Sequence, residues 1–269
     1  MIKVFAAPVS FMKNEVLSIL KLTQASGIAT PVFVYDHALL FQQISLLREV
    51  CGDITDLYSI AYSYKTNPLL AWRSNTKALE KLIMGWPADI PLHTLNLGGG
   101  YPIPYLNATQ LSVRKIFSHV FTPSLKKILQ RFPDLHLVIE PGRFLVGPAG
   151  FLVATVTNLQ SSKELHGAVV DASLFATFAD RFLSKMTFQP PVYARHGGKK
   201  KYFIRGSSPA SVDHFGVYVN LPELHVGDTL VCGMMGAYAS SMGSMFSGVT
   251  KPNEYLLREE RLVRLASSL

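Results

Sequence analysis

The sequence predicts an α/β region followed by a β region. Short apolar runs alternate with amphipathic helical stretches from Pro31 to Val146, and each of those runs ends at polar or turn residues. After Val146 the helical stretches give way to closely spaced short strands with turn signals between them. Strands that alternate with helices imply βαβ units and parallel pairing, whereas closely spaced strands imply antiparallel pairing.

Taken in order, Pro31 to Asp36 (PVFVYD) reads as a strand and His37 to Val50 as an amphipathic helix. Ser59 to Asn67 (SIAYSYKTN) reads as a second strand, stopped by Pro68, which cannot continue a central ladder. A helical stretch covers Asn75 to Met84, and His93 to Leu97 (HTLNL) is a strand running into Gly98-Gly99-Gly100. Thr109 to Arg131 is the longest helical pattern, broken near Pro123. His136 to Glu140 (HLVIE) is a strand ending at Pro141-Gly142. That makes about four βα units. Beyond Val146, strands are expected at Gly150 to Leu159, Gly167 to Asp171, Lys201 to Arg205, His214 to Val219, Thr229 to Cys232 and Tyr255 to Leu257. They form an antiparallel β region, with the boundary near Val146.

Of the 269 residues 48% are hydrophobic and 16% charged, which is enough apolar material for a sizeable core and excludes disorder as the main state. The formal net charge is +8, and Lys199-Lys200-Lys201 is the only tight basic run. Following Gly197-Gly198, it reads as a solvated loop tip rather than a nucleic-acid patch. The two cysteines, Cys51 and Cys232, have no metal-finger spacing and no disulfide framework, so a reducing cytoplasm is the expected compartment. The first residues are too broken by polar side chains and proline to read as a signal peptide, and no apolar run reaches the length of a membrane span.

Four short segments contain residues suited to chemistry. Lys65 sits toward the end of an apolar parallel strand, where ligand groups collect. It is either a lysine that snorkels to water or a partly desolvated amine, and desolvation lowers the pKa as a Schiff base with an aldehyde cofactor requires. Gly98, Gly99 and Gly100 follow a strand, so they form either an ordinary tight turn or a nest of amides for phosphate. Their spacing matches neither the dinucleotide fingerprint nor the P-loop. Glu140 and Arg143 flank a Pro-Gly turn. They are either a structural ion pair, or a carboxylate for a pyridine nitrogen and a guanidinium for phosphate. Tyr238 is a core-edge residue or a hydroxyl donor to phosphate.

The segments AYSYKTNP, LNLGGGYP, VIEPGRFLVGPAG and GAYASSM, in that order, resemble those of the fold-type III pyridoxal-phosphate amino-acid decarboxylases. This is the ornithine, diaminopimelate and arginine decarboxylase family, and the likeness runs from about Pro31 to Leu257. The resemblance implies an alanine-racemase-like (β/α) TIM-type barrel over 31–146, a C-terminal β domain over 147–269, and an N-terminal segment, 1–30, packing with that β domain. It also implies a cytoplasmic homodimer with an amino-acid substrate of the diaminopimelate or ornithine type, and neither nucleic acid nor membrane as partner. Pyridoxal 5'-phosphate would be held by Lys65 as a Schiff base, with Glu140 at the ring nitrogen and Gly98, Gly99, Gly100, Arg143 and Tyr238 at the phosphate.

Two departures accompany the likeness. A (β/α)8 barrel takes about 250 residues, whereas 31–146 spans 116. The barrel is therefore expected to be partial, with a seam near Trp72 to Lys77 and exposed strand edges that favour oligomers or aggregation. In the stretch Gly206 to Asp213, Pro209 stands where the family has a proton-donating cysteine and Ala210 where it has an acid. Only Asp213 remains as a candidate catalytic acid there. An alternative reading follows: a non-catalytic relative that binds cofactor or a partner without turnover.

Overall fold

The computed structural model describes residues 5–6, 13–60, 72–101, 103, 118, 121–183, 190–195 and 198–265. The chain forms two compact units. One comprises Met1–Leu39, Tyr105–Thr109 and Val146–Leu269, and the other Leu40–Pro104 and Gln110–Leu145.

The first unit is built on a ten-stranded sheet. Its strands are β1 (Phe5–Ala6), β2 (Val32–Asp36), β6 (Gly150–Gln160), β7 (His166–Val170), β8 (Val192–Tyr193), β9 (Lys200–Arg205), β10 (His214–Leu221), β11 (Thr229–Cys232), β12 (Asn253–Arg258) and β13 (Arg261–Arg264). They run in the order β1-β10-β9-β7-β6-β2-β12-β13, with β11 paired to β6 and to β8. The long strand β6 organises the sheet. Its first half pairs with β2 on one side and β11 on the other; from Val156 on it pairs with β7, with a register shift between Val156 and Asn158. Such an irregularity bends a strand and lets it serve two neighbours. Phe33, Phe151, Leu152 and Val153 are fully buried here. Each stabilises the unit by about 1.5–3 kcal/mol relative to an exposed position.

Two sequence expectations are corrected. The strand at Val32–Asp36 does not open the α/β part: it lies between β6 (antiparallel) and β12 (parallel) in the β-rich sheet. Val32, Phe33 and Val34 are all buried, so both faces and both edges of this strand need cover. The β region is also mixed rather than antiparallel. β7 pairs parallel with β9, and β1 with β10. Two helical turns, Leu174–Thr177 and Asp180–Leu183, lie on the connection between β7 and β9, which is long enough for a parallel crossover.

The second unit holds a three-stranded parallel sheet, β3 (Tyr58–Ile60), β5 (His136–Ile139) and β4 (Thr94–Asn96), with β5 in the middle. Helix α1 (Lys13–Ala25) belongs to the first unit and most of helix α2 (His37–Gly52) to the second; Asp36 caps α2 by accepting from the amides of Ala38 and Leu39 at 2.8 and 3.1 Å. Helix α3 (Trp72–Met84) runs unbroken through the expected seam and packs on α4 (Thr122–Arg131). Glu80 of α3 accepts from Lys127 Nζ at 2.8 Å and Ser124 Oγ at 2.6 Å, and the ammonium first, then the hydroxyl, hold its carboxyl below the usual range. Arg131 donates to the carbonyls of Met84 and Trp86, satisfying the C-terminal end of α3. Leu95, Leu137, Ile139, Leu125 and Ile128 are buried in this unit. The helical pattern expected from Thr109 is described as a helix only from Thr122, since most of 109–120 lies outside the described residues.

Candidate active site

Strand β4 delivers the glycine turn. Leu97 N–H still bonds to Val138 O at 2.8 Å, so the ladder with β5 continues up to the turn. Asn96 Oδ1 then accepts from Gly98 N–H at 2.8 Å, a side-chain-closed turn of the kind asparagine favours two residues before glycine. Gly98 O accepts from Glu140 N–H at 2.8 Å, and Asn96 Nδ2 donates to Glu140 Oε1 at 2.7 Å. The glycine turn and the end of the glutamate strand are thus one corner. Gly98 and Gly100 have φ of +70° and +90°, a region that strains residues with a Cβ, and among the described residues a Cβ on Gly98 would meet nothing within 4 Å. The turn is anchored by Tyr101, which is buried and lies against Phe121, ring centroids 6.0 Å apart. Burial first, then nearby Cys51 and Glu140, push the Tyr101 phenol up, so it stays neutral.

Pro141 and Gly142 are buried, and half-buried Arg143 opens a helical turn, Arg143–Val146, closed by Leu145 N–H on Gly142 O. Of the predicted residues, Gly98 and Glu140 are joined directly, Gly99 and Gly100 complete the turn, and Arg143 follows Glu140 by three positions. Lys65 lies outside the described residues. The strand that leads to it runs parallel to β5, with Ile60 opposite Ile139, one residue before Glu140. Sequence reasoning missed Asn96; the Asn-Leu-Gly spacing at 96–98 was the available signal.

Tyr238 and Asp213 belong to the β-rich unit. Tyr238 sits at φ +56° just after a glycine contact. Gly236 N–H bonds to Gly147 O at 3.1 Å and Met235 N–H to Gly150 O at 2.8 Å, so the GPAG and GAY segments lie backbone against backbone. Two residues after Tyr238, Ser240 Oγ donates to Glu254 Oε1, which fixes the start of the following turn.

Asp213 closes the β9–β10 hairpin and is fully buried, 0% exposed. Its Oδ1 accepts from Leu174 N–H at 2.8 Å and its Oδ2 from Ser208 N–H at 2.9 Å. The carboxylate therefore clips the hairpin loop to the start of the Leu174–Thr177 turn, whose next amide, Phe175 N–H, bonds to Ser173 Oγ. Within this unit the side chain has a structural task, and Pro209 stands exposed at the loop tip. Cys232 is buried in β11 and its thiol is pushed up to about 12 by burial, so it stays protonated and packs as a small apolar residue.

Next to this clip, His214 has its Nδ1 buried and its ring 5.1 Å from that of Phe203. Burial and then the positive charge of Arg181 lower its pKa; Asp213 opposes this and Arg205 adds to it. A histidine kept neutral by the fold gives full stability above its unfolded pKa of about 6.5. Below that the unfolded chain takes up a proton that the native one refuses, and stability falls. The urea midpoint should drop on going from neutral pH toward the histidine's lowered pKa, and His214→Gln should flatten that slope. An equal slope in the variant would assign the acid sensitivity to other groups.

The chain matches the family profile described as "Pyridoxal-dependent decarboxylase, C-terminal sheet domain" over residues 32–236. The chain belongs to this family. It is 26% identical over 244 residues to a lysine/ornithine decarboxylase of Selenomonas ruminantium, covering 91% of this chain and 54% of that protein. It is 33% identical over 193 residues to a carboxyaminopropylagmatine decarboxylase of Synechocystis sp., covering 68% and 45%. The chain spans about half the length of the curated relatives it matches. A crystal structure of lysine/ornithine decarboxylase from Vibrio vulnificus, complexed with putrescine, superposes with a TM-score of 0.70 at 15% identity, covering 91% of this chain and 99% of that one. That likeness concerns the fold. The family's cofactor is a phosphate-bearing pyridine aldehyde, and the corner fits such a group: Gly98 is in a glycine-only conformation with no described residue within 4 Å of a Cβ placed there, and a carboxylate is hydrogen-bonded beside it.

Proposed function

We propose that this decarboxylase-family chain binds pyridoxal phosphate at the Gly98–Glu140 corner and removes the carboxylate of a basic or diamino acid, ornithine-like or diaminopimelate-like. The observation that carries this reading is the Asn96–Gly98–Glu140 hydrogen-bond set, which puts an anion-accepting turn and a carboxylate on adjacent parallel strands. When bound, the cofactor supplies an electron sink for the bond pair left by a departing carboxylate. Lys65 is the amine that holds its aldehyde. Glu140 keeps a proton on its ring nitrogen. Arg143 and the amides of Gly98, Gly99 and Gly100 hold its phosphate, and Tyr238 stands as a further phosphate donor on the family resemblance. The three parallel strands are read as the remnant of a (β/α) barrel, the molecule as a cytoplasmic homodimer, and Cys51 and Cys232 as its reduced, buried thiols.

The second reading, cofactor binding without turnover, is favoured by one observation. In the loop from Gly206 to Asp213, Pro209 has no proton to give and the one remaining acid, Asp213, is fully buried with each oxygen accepting a backbone amide.

One experiment tests the site and then separates the readings. The purified chain is mixed with pyridoxal phosphate, reduced with borohydride and mapped by mass spectrometry. A label on Lys65 is expected, and absence of label anywhere defeats both readings. Carbon dioxide release from a panel of amino acids then decides between them. Release of carbon dioxide from a basic or diamino acid supports decarboxylation; a Lys65 label without release, the outcome that Pro209 favours, leaves cofactor binding without turnover.

A further inference from the structure

We infer that Asn96 is a positioning residue that sets the orientation of Glu140 toward the cofactor ring while shaping the turn for its phosphate. The inference rests on the cofactor reading above. Asn96 is solvent-exposed yet makes two short, directional bonds, 2.8 Å from Gly98 N–H and 2.7 Å to Glu140 Oε1. Their chemistry fixes the amide. The backbone N–H can only donate, so it faces Oδ1; the carboxylate accepts, so it faces Nδ2. Only a side chain with one acceptor and one donor at this length serves both partners. Aspartate keeps the acceptor for Gly98 but presents a like charge to Glu140, and glutamine is a methylene too long for the turn. A backbone link, Glu140 N–H to Gly98 O at 2.8 Å, already joins the two strand ends without Asn96. What the amide adds is a fixed rotamer for the Glu140 carboxylate. With Oε1 held, Oε2 is the oxygen left for the ring nitrogen.

The two bonds can be separated in the 269-residue chain. Cofactor affinity is measured by titration with pyridoxal phosphate. Ring orientation is measured by the circular dichroism that the bound cofactor acquires in the visible. Asn96→Ala removes both bonds and is expected to weaken affinity about tenfold, roughly the loss of 1.4 kcal/mol, and to abolish the visible band. Asn96→Asp keeps the turn, so affinity should stay within about threefold, while the band falls to about half or less at neutral pH. Relative to the unaltered chain, that band should recover on acidification, because a protonated carboxyl beside Glu140 regains the donor. A merely structural asparagine would show no such recovery. Failure of the unaltered chain to take up the cofactor overturns the site reading and this role together. Uptake by the unaltered chain, with affinity within twofold in Asn96→Ala and an unchanged band and pH profile in Asn96→Asp, overturns the role alone.

Discussion

Replacing Asp213 by alanine should lower the melting temperature of the β-rich unit by about 10 °C. The carboxylate is fully buried and is the acceptor for two backbone amides, Leu174 N–H and Ser208 N–H. Removing it leaves both donors without a partner, at about 1–3 kcal/mol each. For a unit of this size each kcal/mol corresponds to about 2–4 °C. The cavity also loosens Gly206, whose Cβ position lies 2.2 Å from Asp213 Oδ1. Asp213→Asn keeps one acceptor oxygen and should cost about half as much. Differential scanning calorimetry of the three proteins decides the matter: an alanine variant melting within about 2 °C of the parent would mean that the clip contributes little. Borohydride labelling of Asp213→Asn adds the functional half. A structural clip leaves Lys65 labelling intact in a folded variant.

The second large effect is expected at Gly236. A Cβ there would lie 1.8 Å from Val146 O and 2.9 Å from Gly150 N, and a Cβ on Gly150 would lie 2.1 Å from Gly236 Cα. Both collisions are with backbone, so no rotamer change relieves them. Gly236→Ala must separate the two segments and break the bonds from Met235 N–H to Gly150 O and from Gly236 N–H to Gly147 O. The expected cost is about 3 kcal/mol, the upper end for inserting one methyl into a packed interior, and Tyr238 two residues on should shift with it. Gly52→Ala is the control, since a Cβ there meets nothing within 4 Å and no positive φ is involved. Chemical denaturation that ranks the two variants equal would refute the packing argument.

Much of this molecule is readable from residue order because periodicity and turn chemistry are local. The runs VFVYD and TLVC form strands at the expected positions, and helix α2 begins at His37 as its pattern requires. Strand partners are not local. Nothing in VFVYD says that it pairs with residues 150–153 and 253–257, because an apolar run encodes the need for neighbours and not their identity. Parallel pairing of β7 with β9 was hidden for a related reason: among the described residues of the connection the helices are two single turns, too short to leave a 3.6-residue period. At the site, glycine and carboxylate chemistry could be inferred from residue type, whereas the side-chain link between the turn and the Glu140 carboxylate could not. Asn96 carries that link, and one asparagine in a turn is ordinary. Asp213 shows the converse. The family resemblance offered it as an acid for chemistry, and the two amides on its buried carboxylate give it a structural task within the β-rich unit.

The middle strand of the parallel sheet is the last of the three to be synthesised. Tyr58–Ile60 and Thr94–Asn96 both pair with His136–Ile139. A growing polypeptide adds about 5–20 residues per second, so the first of them waits roughly 4–16 s for its neighbour to emerge. The strand Val32–Asp36 waits longer still, since one of its two neighbours begins at Asn253. Nascent chains of this protein therefore carry unsatisfied ladders until residues 253–257 have emerged, and their yield in a cell should depend on chaperones that shield extended segments until then.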